Sequence, residues 1–378
     1  MKVSRDTQRW LDELSGSIAL VSLALGELRG DTSDSWRERL RSVADSVSQD
    51  RLTRVELQLL PVLATALDRN LPDHPATALA LGAKRRAAAE ALLAKTAALT
   101  AANALHERGL PTAPLKGLAL AETYEALGWR RPMGDADLLV VAPTSWETVE
   151  DTLVNAGFLP APGSVHARNF DLPDGRRVDV HRFISTPNAY PEATQRLMEY
   201  VSSNPTSTWK GCELPAEVHM AHAIEHAMRW NPIIPARSVS DIAAIQCMYT
   251  DLDWMSVHFL LIDWGANRNG RALLAVLANA GIIPAGAVRE SAINHEEEDV
   301  LLQTWATADP RQSWIKQSVT YFGLVPRRLS RKNPDFNYGD YLRGLWSLGP
   351  TDSISAAITS RVKRRLAHGR NLPQYIHE

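Results

Sequence analysis

Three aspartates offer the most direct chemistry in this sequence: Asp135 and Asp137 in "RPMGDADLLV" (131–140), and Asp179 in "RRVDVHRFI" (176–184). Asp-x-Asp at the head of an apolar run sets both carboxylates on one strand face, roughly 6–7 Å apart at Cα. Ala136, Leu138 and Val140 then point the other way, into a core. Two like charges side by side oppose each other's ionisation unless a cation lies between them. Mg²⁺, with Mn²⁺ as its substitute, suits such hard oxygen ligands and commonly arrives with a substrate phosphate. In "VDVH", Asp179 and His181 share one strand face, with Val178 and Val180 on the other. A third carboxylate facing the first pair would complete a clamp for two metal ions, the arrangement that serves in-line displacement at phosphorus.

Other residues could serve the same anion. "LKG" (115–117) falls at an expected strand-to-helix turn. Gly117 would open a helix N-terminus whose free N–H groups favour phosphate, and Lys116 adds a point charge. Arg131, four residues before Asp135, is placed to hold phosphate oxygens, and Gly134 lets the backbone approach a ligand closely. His181 is a candidate contact to nucleotide or acceptor, or a structural histidine.

A second motif points to different chemistry. In "HMAHAIEH" (219–226), His222, Glu225 and His226 form H-x-x-E-H, in which two histidines bind zinc and the glutamate acts as base. A zinc metallohydrolase is therefore an alternative reading. No downstream acidic helix supplies a further ligand, since "HEEED" (295–299) reads as a charged loop or helix end. A third reading is a non-catalytic protein that binds nucleotide or a partner on the same scaffold.

The elements that must position these residues follow from their patterns. Residues 1–78 read as helices broken at "GDTSDS" (30–35) and "NLPDHP" (70–75), and 79–108 as one long alanine-rich helix. Strand and helix then alternate: "LPTAPL", a glycine-opened helix over 116–128, "DADLLVVA", a helix over 145–157, and the strand around Asp179. Helices return from about 214. The expected division is an N-terminal helical region (1–78), an α/β core with its leading helix (79–212) and a C-terminal helical domain with a basic tail (213–378).

The order Lys-Gly, Arg-Pro-Met-Gly-Asp-Ala-Asp-Leu-Leu-Val and Val-Asp-Val-His resembles the uncharacterised nucleotidyltransferase family of the polymerase-beta-like superfamily. The resemblance covers roughly residues 50 to 310, and its most specific part is the Arg-Pro-Met-Gly-Asp-x-Asp block. It implies an α+β fold, a small mixed sheet flanked by N- and C-terminal helical regions. It also implies Mg²⁺-dependent transfer of a nucleoside monophosphate from a nucleoside triphosphate, most simply ATP, with release of pyrophosphate. Asp135 and Asp137 would be metal ligands and Asp179 the third carboxylate, candidate base for the incoming hydroxyl. Lys116 and Gly117 stand where such enzymes place a phosphate-binding turn, but this chain departs from the usual Gly-Ser pair.

Bulk properties narrow the partners. Among 378 residues, 41 basic and 43 acidic side chains leave a net charge of −2, which disfavours coating of nucleic acid. The acceptor is expected to be a small molecule, peptide or protein. The tail (Arg361, Lys363, Arg364, Arg365) reads as a solvated helix or a contact for an anionic acceptor. Trp129, beside Arg130 and Arg131, is a candidate to stack on a base. Two cysteines, Cys212 and Cys247, suit a reducing compartment and supply no cysteine-based zinc site. The apolar run 18–28 follows Asp6, Asp12 and Glu13 and reads as a core helix, so a cytoplasmic protein without membrane contact is expected.

Overall fold

The computed structural model describes residues 5–48, 52–141, 145–161, 167–181, 184, 197, 212–227, 236–264 and 267–289. Four helices come first: α1 (Arg5–Leu28), α2 (Asp34–Ser48), α3 (Arg54–Asn70) and α4 (Pro75–Glu107). The run read as a core helix lies in α1, with Leu20, Val21, Leu23 and Leu25 buried. Thr53 and Glu56 close a reciprocal capping box at the start of α3. His74 caps α4 and Pro75 occupies its first turn, which moves its start to residue 75, ahead of the alanine-rich stretch.

The centre runs β1 (Thr112–Leu115), α5 (Lys116–Ala126), β2 (Ala136–Val140), α6 (Trp146–Asn155), β3 (Leu159–Ala161), β4 (Ala167–Asp171) and β5 (Arg177–His181). The strands form one five-stranded sheet in the order β1-β2-β5-β4-β3. Only the β2–β5 pair is parallel; β1–β2, β3–β4 and β4–β5 are antiparallel. The mixed sheet expected from the sequence is present, with a β3–β4 hairpin that the alternation did not announce.

Both faces of the central strands are covered. Ala136, Leu138, Val140, Val178 and Val180 pack with Phe170 against Ala97, Ala98, Ala101 and Leu105 of α4. The small alanine side chains let this helix approach the sheet closely. On the other face, Ala113, Leu115 and Leu139 join a larger core built from both helical flanks. Among the described residues, the C-terminal flank comprises α7 (Ala216–Ala227), α8 (Ala236–Met248), α9 (Trp254–Asp263), α10 (Asn267–Asn279) and α11 (Gly286–Arg289). Helix α8 packs on α1, α3, α5 and α7, joining the N-terminal helices and α7 to the centre. Among the described residues, no helix is long and apolar enough to cross a membrane.

Candidate active site

The register of two strands sets the site. Asp137 of β2 lies directly opposite Asp179 of β5, and Leu139 opposite His181. In a parallel pair such partners point to the same face, so Asp137, Asp179 and His181 gather above the sheet. One ligand atom from each lies within 4.8 Å of the others. Among the described residues this is the only group of three acidic, histidine or cysteine side chains so arranged.

Asp135 enters differently. The strand begins at Ala136, and Asp135 occupies the bend before it, one residue short of the strand that carries Asp137. It stands outside the 4.8 Å group, yet its charge still acts on Asp179. Its partly exposed carboxylate marks the solvent side of the mouth.

Lys116 and His181 both address one oxygen of Asp137. Lys116 Nζ donates to Asp137 Oδ1 at 2.5 Å, and His181 Nε2 lies 2.9 Å from the same atom. Burial alone would raise the Asp137 carboxyl. The ammonium and the imidazole outweigh that effect and hold it well below the usual carboxylate range. Asp179 behaves oppositely. Burial, then the charges of Asp137 and Asp135, push it up to about 7 against the pull of Lys116 and Arg177. Asp179 Oδ1 is buried and, among the described residues, meets no hydrogen-bond donor. A buried carboxylate oxygen in that position is stabilised by a cation. The donor set therefore fits the divalent metal that the sequence resemblance implies.

The turn that carries Lys116 is tightly built. Helix α5 starts at Lys116, where the expected run 116–128 begins, and Lys116 adopts φ +50°, a left-handed conformation. For a residue with a Cβ this costs about 1 kcal/mol. At Gly117 the constraint is space: a Cβ would lie 2.2 Å from Arg131 Nη1 and 2.8 Å from Met133 Sδ.

Arg131 does not stand free at the mouth. Its Nε and Nη2 donate to Asp241 Oδ1 and Oδ2 at 2.7 and 3.0 Å, a fork that crosses to α8. The Tyr124 hydroxyl also donates to Asp241 Oδ1, at 2.7 Å. Asp241 and Tyr124 were not legible as site residues. A single acid in the apolar helix "SVSDIAAI" gives no local sign of a partner 110 positions away. Gly134, at the exposed bend, has open space where a Cβ would stand. Trp129 is 1% exposed and packs edge-on to Tyr124, so it is a core residue and offers no surface for a base to stack on.

Beside Lys116 a narrow cleft opens between α5, α7 and α8, lined by Arg131, His219, His222, His226 and Ser238. His219 retains some surface exposure, yet protein surrounds its ring and burial pulls it down to about 4. His222 packs edge-on to Trp264, ring centroids 6.5 Å apart, and to His226 at 6.3 Å. The H-x-x-E-H residues do not form one of the compact ligand groups found among the described residues. Their helix serves as a wall of this cleft and as core. "HEEED" and the basic tail lie outside the described residues.

On an α+β frame, the opposed aspartates of β2 and β5 and His181 form a group that could hold a metal ion, beside a strand-to-helix turn. Residues 46–280, more than half of the chain, match the family described as uncharacterised nucleotidyltransferase, and the chain belongs to that family. No curated protein and no solved structure matches it.

Proposed function

We propose that the protein transfers a nucleoside monophosphate, AMP from ATP in the simplest case, to a hydroxyl-bearing acceptor and releases pyrophosphate. One observation carries this reading beyond family membership: Asp137 and Asp179 oppose each other across β2 and β5, with a buried Asp179 oxygen that meets no donor among the described residues. In this reading Asp137 and Asp179 hold Mg²⁺ or Mn²⁺, His181 orients the Asp137 carboxylate, and Asp135 adds the outer carboxylate. When bound, the metal supplies positive charge to the phosphate oxygens and to the attacking hydroxyl.

The remaining work falls to the chain. Lys116 and the α5 N-terminus hold phosphate charge at the turn. Asp179, the carboxylate that faces Asp137 across the two strands, is the candidate to accept the acceptor's proton. As the acceptor oxygen bonds to the α-phosphorus, the bond to pyrophosphate breaks and pyrophosphate leaves with the electron pair. The acceptor enters by the cleft that His219, His222, His226 and Ser238 line, as a small molecule or a side chain of a peptide or protein.

The test is incubation with each α-labelled nucleoside triphosphate, Mg²⁺ and cell extract, with wild type and Asp137→Asn compared. Label carried into an acceptor by wild type alone, with pyrophosphate released in equal amount, supports the reading. Equal labelling by both proteins refutes it.

A further inference from the structure

The carboxylate of Asp241 lies on the C-terminal flank, yet its contacts lead to the phosphate turn. It is 5% exposed, and its two oxygens grip the Arg131 guanidinium through Nε and Nη2. That grip leaves the third nitrogen, Nη1, packed on the Cα of Gly117, so close that no side chain would fit there. Gly117 in turn follows Lys116, whose left-handed backbone aims the ammonium at Asp137. The Lys116–Asp137 and Arg131–Asp241 bonds are short and part-buried. Helix α8 is itself fixed, since it packs on α1, α3, α5 and α7.

We propose that Asp241 is a positioning residue of the active site: through the Arg131 fork it holds the Lys116–Gly117 turn in the conformation that receives the nucleotide's phosphates. The proposal rests on the nucleotidyltransferase reading above, and it assigns Arg131 an indirect role. The guanidinium is a strut between α8 and the turn, because two of its three nitrogens are committed to Asp241. A planar fork suits this task. Both N–H···O bonds fix the guanidinium plane, whereas a lysine at the same place would leave it free to swing. The strained turn needs such support, since a left-handed lysine persists only where its surroundings hold it. The helical flank that lines the acceptor cleft is thereby tied rigidly to the phosphate turn.

The experiment measures binding of ATP with Mg²⁺ by calorimetry on the full chain. Asp241→Asn, Arg131→Lys and the double variant are compared with wild type. Leu63→Ala, a core truncation in α3, shows what instability alone does to affinity. Asp241→Asn and Arg131→Lys are each expected to weaken binding about tenfold, the double variant no further than either single one. Leu63→Ala is expected to lower the melting temperature with affinity kept within about twofold. Where Asp241→Asn does not fold, Arg131→Lys, which keeps both charges and loses only the fork, carries the comparison. Affinity unchanged in the variants, or changed no more than in Leu63→Ala, overturns the proposal and leaves the nucleotide site standing. Failure of wild type to bind any of the common nucleoside triphosphates overturns the underlying reading as well.

Discussion

Lys116 Nζ donates to Asp137 Oδ1 at 2.5 Å from a backbone that is itself strained, at φ +50°. In the metal-free protein the ammonium supplies the positive charge that a bound cation would supply. Lys116→Met is expected to destabilise the metal-free protein by about 2–4 kcal/mol, because a buried carboxylate loses its cation. Added Mg²⁺ should recover much of that loss. Lys116→Gly should be less harmful than the methionine variant by about 1 kcal/mol, because it relieves the left-handed backbone. Thermal melts with chelator and with Mg²⁺ check both outcomes.

Asp179 gives the pH dependence a definite sign. Its carboxyl is raised from 3.8 to about 7 in the folded chain, by burial first and then by Asp137 and Asp135. The folded state therefore favours the protonated form. This contribution to stability is full below the ordinary carboxylate value and is lost as pH rises toward 7, at up to about 1.4 kcal/mol per pH unit. Metal-free protein should lose stability over that window. Asp179→Asn should flatten the loss, and saturating Mg²⁺ should reverse it. Melting curves from pH 4 to 8 read the effect.

His219 titrates in the opposite sense. Burial lowers it from 6.5 to about 4, with Asp241 opposing, so the unfolded chain takes up the proton first. Stability from this group is complete above the ordinary histidine value and falls as pH drops toward 4. His219→Gln should reduce the acid sensitivity between those limits, measured by denaturant midpoints against pH.

Gly117 tests the packing at the turn. A methyl group there meets Arg131 Nη1 at 2.2 Å and Met133 Sδ at 2.8 Å. Gly117→Ala is expected to destabilise by about 1–3 kcal/mol, as overpacking does. It should also weaken binding of ATP with Mg²⁺, because the turn must shift. Denaturation and calorimetry on one sample separate the two effects.

Much of the centre was legible because its elements announce themselves locally. Strands β1, β2 and β5 and helices α5 and α6 fall within the expected runs, and the opposed carboxylates follow from "DAD" and "VDVH" once those strands pair. The β3–β4 hairpin was not legible. Strand β3 is three residues with a proline and largely exposed side chains, and β4, "ARNFD", buries only Ala167 and Phe170 fully. The composition of the ligand group depended on register: placing His181 with Asp137 requires knowing that β2 and β5 are adjacent and parallel. Arg131, expected to meet phosphate, is forked to Asp241, a partner that the packing of α8 on α5 brings near.

The central claim is that Asp137 and Asp179 together bind a divalent cation that carries a nucleotide. Titration of the purified protein with Mn²⁺ in the presence of ATP, followed by electron paramagnetic resonance, measures this directly. The prediction is stoichiometric Mn²⁺ binding by wild type, displaced by Mg²⁺ and weakened at least about a hundredfold in both Asp137→Asn and Asp179→Asn. Equal Mn²⁺ binding by wild type and the two variants would contradict the account.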